Sequence, residues 1–157
     1  MSGTTLDQSA SGALVCVFDV AGHTFAVDIA VAREARVFDH CTPVPLAPIH
    51  LRGMVNLRGA IIPLVDLCVL RGMPAGPDTL HALVVEAKGV RVALAVDRVV
   101  GVESLDEPLE PFGDVAEADR LELGQRRRGE EAVPILDVER IVQWLAYRPS
   151  PRTHEGL

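Results

Sequence analysis

The densest run of reactive side chains in the sequence is Asp39-His40-Cys41, an acid, a base and a nucleophile in succession. Thiol chemistry needs the histidine and the cysteine on one face, but neighbours in an extended segment point to opposite faces. The run therefore reads as a loop with an incidental histidine, not as a nucleophile or a metal site. Asp28, Asp66, Asp97 and Asp137 offer an acid–base set. They recur at equivalent places in two copies of a sequence pattern, which favours turn and helix-capping roles. Gly53 and Gly59 are separated by five residues and followed by Ala60, whereas a phosphate loop needs four and then Lys-Ser/Thr. Arg126-Arg127-Arg128 is soon answered by Glu130 and Glu131, as in a solvated turn. No catalytic residue, metal ligand set or cofactor is expected.

One charged residue is left to place. Met54 to Leu67, MVNLRGAIIPLVDL, is a strand-like apolar run of the kind that fills a core, yet Arg58 sits near its middle beside Gly59. An unpaired buried charge costs on the order of several kcal/mol, so Arg58 must face water or meet a partner. Gly59 permits a tight turn, which divides the run into strand, turn and strand and lets Arg58 leave the core at the turn. Its guanidinium fork suits a partner's carboxylates and carbonyls; the competing reading is an internal salt bridge to an acidic residue such as Glu34.

The elements that must position these residues are bounded by composition. The chain has 157 residues, 48% hydrophobic but only 4% aromatic, so its core is built from Val, Leu, Ile and Ala, and the β-branched blocks point to strands. Fifteen basic against 22 acidic residues leave a net charge of −7, which argues against a nucleic-acid or anionic-membrane binder. Cys16, Cys41 and Cys68 are widely spaced and odd in number, as expected of free thiols in a reducing cytosol. The first twelve residues carry no export signal, and no apolar run approaches the ~18 residues of a spanning helix.

Residues 1–12 and 148–157 read as disordered ends, leaving an ordered part of 13–147. Within it, ALVCVFDVAGHTFAVD (Ala13 to Asp28) aligns without gaps on ALVVEAKGVRVALAVD (Ala82 to Asp97), each a hairpin turning near a glycine. The same register sets Glu34 on Glu103, and IPLVDLCVL from Ile62 resembles VPILDVERI from Val133. A first half of about 13–72 and a second of about 80–147, joined by GMPAGPD, are each marginal alone, so they are expected to interleave as small antiparallel barrels. Asp66 and Asp137 are placed to cap short helices, with Val138 to Ala146 the strongest helical pattern. Glu103 to Glu131 is expected to be an irregular connection.

The arginine segment, Leu51 to Leu67, resembles the signature of the CheW-like family, G-x-x-N-L-R-G-x-I-x-P-x-x-D-L, matched by Gly53, Asn56, Leu57, Arg58, Gly59, Ile61, Pro63, Asp66 and Leu67. FAVDIAVAREARVF (Phe25 to Phe38), VRVALAVDRVVGVESL (Val90 to Leu105) and AVPILDVERIV are similar to further family segments, so the resemblance spans nearly all of 13–147. The family pattern is departed from at Ala32 and Ala35, where larger aliphatics often lie, and in the region Asp114 to Gly129, which carries the unusual run ADRLELGQRRRG.

The resemblance implies a mostly β fold of two intertwined five-stranded SH3-like barrels with short helices, one near the C-terminus. It implies a non-catalytic adaptor that couples the cytoplasmic tip of a methyl-accepting chemoreceptor to the regulatory domain of a CheA-type histidine kinase. Such an adaptor is cytoplasmic, meets the inner membrane only through receptors, and binds no nucleic acid. Arg58, Glu34, Arg52, Asn56 and Leu57 are the candidates for the kinase-facing edge of the first barrel. Val84, Leu94 and Val96 on the second hairpin are candidates to line a groove for a receptor helix, with core packing as their competing role. The other reading of a small barrel, a ligand or nucleic-acid binder, wants stacking aromatics and a basic stripe that this composition does not supply.

Overall fold

In the computed structural model the described residues are 13–111 and 120–147; the expected disordered ends lie outside them. The alternating apolar pattern from Ala13 folds into a hairpin, β1 (Ala13–Val20) and β2 (His23–Asp28). Its turn puts Ala21 and Gly22 at φ 52° and 82°, the left-handed pair whose twist matches the flanking strands. The aligned copy does the same, with β6 (His81–Ala87), β7 (Val90–Ala95) and a turn at Lys88-Gly89. Asp97 Oδ2 accepts from Ala21 N–H at 2.7 Å and Asp28 Oδ1 from Ala30 N–H at 2.8 Å, so these two aspartates serve turns as expected.

The other strands are β3 (Ala32–Val37), β4 (Leu51–Leu57), β5 (Ala60–Val65), β8 (Arg98–Leu105), β9 (Glu122–Arg128) and β10 (Glu131–Leu136). They build two five-stranded sheets, in the order β8-β1-β2-β10-β9 and β3-β6-β7-β5-β4. Adding five to each strand number of the first order, counted cyclically through ten, gives the second, so the duplication in the sequence is a duplication in topology. The interleaving is uneven, however: the barrel that holds Glu34 and Arg58 is the continuous segment β3 to β7, and the other takes its strands from the two flanks.

Each sheet encloses a small apolar interior. Val15, Val17, Ala26, Leu105, Val133 and Ile135 fill one, and Phe38, Val55, Leu57, Ile62, Leu64 and Val84 are among those that fill the other. The largest cluster lies between the barrels, where Phe18, Phe25 and Val27 of one sheet meet Leu83, Leu94 and Val96 of the other. Two helices follow the equivalent strands β5 and β10. Asp66 caps α1 (Leu67–Leu70), accepting from Cys68 and Val69 N–H at 3.0 and 3.2 Å. Asp137 accepts from Arg140 N–H at 3.0 Å at the start of α2 (Val138–Tyr147), whose Val138, Ile141 and Val142 enter the shared cluster.

The expectation of an irregular Glu103–Glu131 connection is corrected in part. β8 runs to Leu105, and Arg126 to Arg128 end a strand instead of forming a turn. Their charge hid the strand pattern, and each arginine has a place: Arg126 donates to Glu107 O at 2.7 Å and Arg127 to Glu130 O at 2.9 Å, while Arg128 bonds Glu103.

Candidate functional site

The Asn56–Gly59 turn joins β4 to β5. Asn56 Oδ1 accepts from Gly59 N–H at 2.7 Å, and Arg58 and Gly59 take φ 49° and 90°. Arg58 therefore leaves the core, as its position beside glycine predicts, with 60% of its side chain exposed. It also meets the acid named as its competing partner: Nη1 donates to Glu34 Oε1 at 3.1 Å, and Nη2 bonds Oε2 still more closely. The bond from Arg58 holds the Glu34 carboxyl below its usual range, and Glu34 raises the Arg58 guanidinium in turn. The pair is intramolecular, and its face is open to solvent.

Glu34 lies on β3 and Arg58 follows β4, the two edges of one sheet. The ion pair thus spans the gap where the curled sheet has no backbone ladder. Beside it is a cleft of about 640 Å³ whose lining includes Arg36, Phe38, Met54 and Asn56, with Val37 and Ile61 each 60% exposed at its rim. Apolar side chains among charges at an open sheet edge are the chemistry of a protein contact.

Gly53 explains why β4 can be crossed closely. Thr42 and Met54 form a bridge through N–H to O bonds of 2.9 and 2.8 Å. A Cβ on Gly53 would lie 2.4 Å from Thr42 O. Gly124 stands equivalently beneath Glu110, where a Cβ would come within 2.5 Å of the backbone oxygen.

Other sequence-predicted residues are placed differently. Arg52 is not a rim charge: only 17% of its side chain is exposed, and Nη2 donates to Asp66 Oδ2 at 2.9 Å. Burial pushes the Asp66 carboxyl upward, but Arg52 and the N–H groups of Gly76 and Val69 outweigh it and hold the group below the usual carboxylate range. Leu57, Val84, Leu94 and Val96 are at most 1% exposed, which removes them as surface contacts. β6 and β7 are interior strands whose central residues, from Ala82 to Val85 and from Val92 to Ala95, are buried whichever way they point. Leu94 and Val96 do share a face, and that face is the seam between the barrels.

The apolar surface at that seam comes instead from Leu14 on β1 and Val102 on β8, 43% and 57% exposed. Val102 lies opposite Cys16, two residues from Leu14 on the same face, and Cys16 belongs to the shared cluster. Sequence reading missed them because both stand in apolar runs, where alternation does not say which member reaches the rim. Arg71 was missed too; it lies over the Phe25 ring at 4.9 Å and bonds Glu122 at 2.8 Å, tying the end of α1 to the other barrel.

Burial raises all three cysteine thiols, which keeps them poor nucleophiles at neutral pH. Among the described residues no group of three or more His, Cys, Asp or Glu is placed to hold a metal ion. No described helix is long and apolar enough to cross a membrane.

Comparison with known proteins adds three findings. The profile of the CheW-like domain matches residues 14–146. The chain is 36% identical over 108 residues to the chemotaxis protein CheW of Rhizobium meliloti (strain 1021), covering 67% of this chain and 70% of that one. It is 27% identical over 135 residues to chemotaxis protein CheW of Thermotoga maritima, covering 82% and 87%. Among solved structures, the scaffolding protein TtCheW from Thermoanaerobacter tengcongensis superposes with a TM-score of 0.71 at 28% identity, over 80% of this chain and 89% of that one.

Proposed function

Because the chain belongs to the CheW-like family, we propose that it is a non-catalytic adaptor joining chemoreceptors to a CheA-type histidine kinase. The observation that carries the kinase side is the Arg58–Glu34 pair, exposed and preset at an open sheet edge beside an apolar cleft. An adaptor works by binding free energy alone, and a rigid charge costs little further ordering on docking. The kinase's regulatory domain is the partner assigned to this edge, with Arg58, Glu34 and Asn56 as contacts.

The receptor side is assigned to the seam between the barrels. A receptor tip is a helical hairpin, and a helix lays an aliphatic stripe into an apolar depression. Leu14 and Val102 supply that surface, with Val31 and Val99 partly buried against the cluster beneath. They replace Val84, Leu94 and Val96 in this role. Residues 13–147 act as one scaffold unit, in the cytoplasm, at receptor arrays beneath the inner membrane.

Co-sedimentation tests the reading. The purified protein is expected to pellet with membranes carrying receptor and kinase and to raise kinase autophosphorylation there. Binding to neither partner overturns the assignment.

A further inference from the structure

The loop between β3 and β4 displays exposed aliphatic side chains. Val44, Leu46 and Ile49 are 39%, 72% and 82% exposed. Leu46 also takes φ 61°, a left-handed conformation that is sterically unfavourable for a bulky residue.

The loop is rigid as well as apolar. Pro43, Pro45 and Pro48 restrict its backbone, and turns close through Ala47 N–H to Val44 O at 3.2 Å and Leu51 N–H to Pro48 O at 3.0 Å. The Thr42–Met54 bridge anchors one end. At the other, His50 lies edge-on to Trp144 at 5.0 Å, and its carbonyl accepts from Asp66 N–H at 2.8 Å.

Ile49 opens onto a cleft of about 620 Å³, with Val69, Ala75 and Leu80 supplying apolar lining and three acids, Asp39, Asp66 and Asp78, against the one cation Arg52 supplying charge. Asp78 is fully exposed, and its ion pair is with Arg52 at 3.7 Å, a guanidinium already bonded to Asp66. Asp39 has no ion pair or hydrogen bond among the described residues. Asp39 and His40 border this cleft and the one beside Arg58, so the two surfaces adjoin, but Ile49 and Asp78 line only this one.

We propose that this loop and cleft form a further docking surface, for a protein helix whose aliphatic stripe is flanked by Lys or Arg. The aliphatic residues cover Leu46 and Ile49, and a cation meets Asp39 and Asp78. The surface is separate from the Arg58 edge and from the Leu14–Val102 seam, and it stands whether or not those are the kinase and receptor sites.

Methyl NMR on the full chain tests it, with two synthetic helical probes carrying leucines at i, i+4 and i+7, flanked in one by arginines and in the other by glutamates. The arginine probe is expected to shift the Val44, Leu46, Ile49 and Val69 methyls to saturation, and the glutamate probe is not. Ile49→Ser should weaken the arginine probe tenfold or more, and Asp78→Asn by about two- to fivefold while flattening its salt dependence. Leu46→Gly relieves the left-handed backbone, so it should keep or raise Tm while weakening the probe. Saturation at Leu14 and Val102 instead, equal binding of both probes, or a lower Tm in Leu46→Gly with the probe bound as before overturns the proposal. So does a shift of these methyls with protein concentration alone, which assigns the surface to a second copy.

Discussion

Arg128 on β9 holds Glu103 on β8 with two arms of its guanidinium, Nε to Oε1 at 2.8 Å and Nη2 to Oε2 at 3.0 Å. β8 and β9 are the edges of their sheet, as β3 and β4 are of theirs, so Glu103 and Arg128 close one barrel as Glu34 and Arg58 close the other. The glutamates fall at equivalent places in the two sequence copies; the arginines differ by one residue, Arg128 standing where the first copy has Leu57.

Closure by side chains makes each pair a local latch. Arg128→Met should speed amide exchange along β8 and β9 by about two- to fivefold while leaving β3 and β4 unchanged, with a global cost of about 1 kcal/mol or less. Arg58→Met should reverse the pattern. Exchange that rises equally in both barrels would show that the pairs do not act locally.

Arg58 has both an internal partner and an open face, and a charge swap separates the two. Arg58→Glu with Glu34→Arg retains an ion pair across the same gap, so Tm should stay within about 4 °C of the parent. Binding to the kinase regulatory domain should fall tenfold or more, measured by calorimetry. Full binding by the swapped protein would make the pair structural only.

The seam and the edge should be separable. Val102→Asp puts a charge on the apolar seam and should abolish co-sedimentation with receptor membranes while kinase binding stays within about twofold. Loss of both together, with the fold intact, would merge the two surfaces into one.

Asp66 ties β4, α1 and the inter-half loop together, through Arg52, the Cys68 and Val69 N–H groups, and Gly76 N–H at 3.0 Å. Asp66→Asn should cost about 2–3 kcal/mol at pH 7. The folded carboxyl titrates below its unfolded value, so its contribution is complete above the unfolded value of about 4 and fades as pH falls through the folded one. The difference between parent and Asp66→Asn should therefore be flat from about pH 5 to 8 and shrink below about pH 4, in urea titrations across that range.

Gly53→Ala places a Cβ 2.4 Å from a backbone oxygen at φ 154°, which should cost about 2–4 kcal/mol and lower Tm by on the order of 10 °C. Gly59→Ala, with nothing within 4 Å at φ 90°, should cost about 1 kcal/mol. Thermal melts of the two variants distinguish a close crossing from a turn.

The hairpins, the caps at Asp66 and Asp137, and the duplication were legible in the sequence because each rests on local signals: alternation, glycine at a left-handed turn, and an acid before a helical pattern. β9 was not, since its edge position lets three arginines stand where alternation would mark a strand. Arg58 was legible because a charge in an apolar run demands an account. Val84, Leu94 and Val96 were misplaced because apolar residues on a strand look alike at a rim and in a core. Leu14 and Val102 were missed for the same reason, since exposure there depends on where the two sheets part.

The continuity of one barrel and the division of the other impose an order of birth. On the ribosome, every strand of the β3–β7 barrel has been made once Ala95 emerges, while β1 still waits for β8, where Cys16 meets Val102, and β2 for β10, where Ala26 pairs with Ile135. The nascent chain therefore carries a complete β3–β7 barrel beside a hairpin that gains β8 first and stays unpaired on its β2 side until β10 is synthesised. Phe18, Phe25 and Val27 on that hairpin are the apolar surface that a chaperone would meet during the interval.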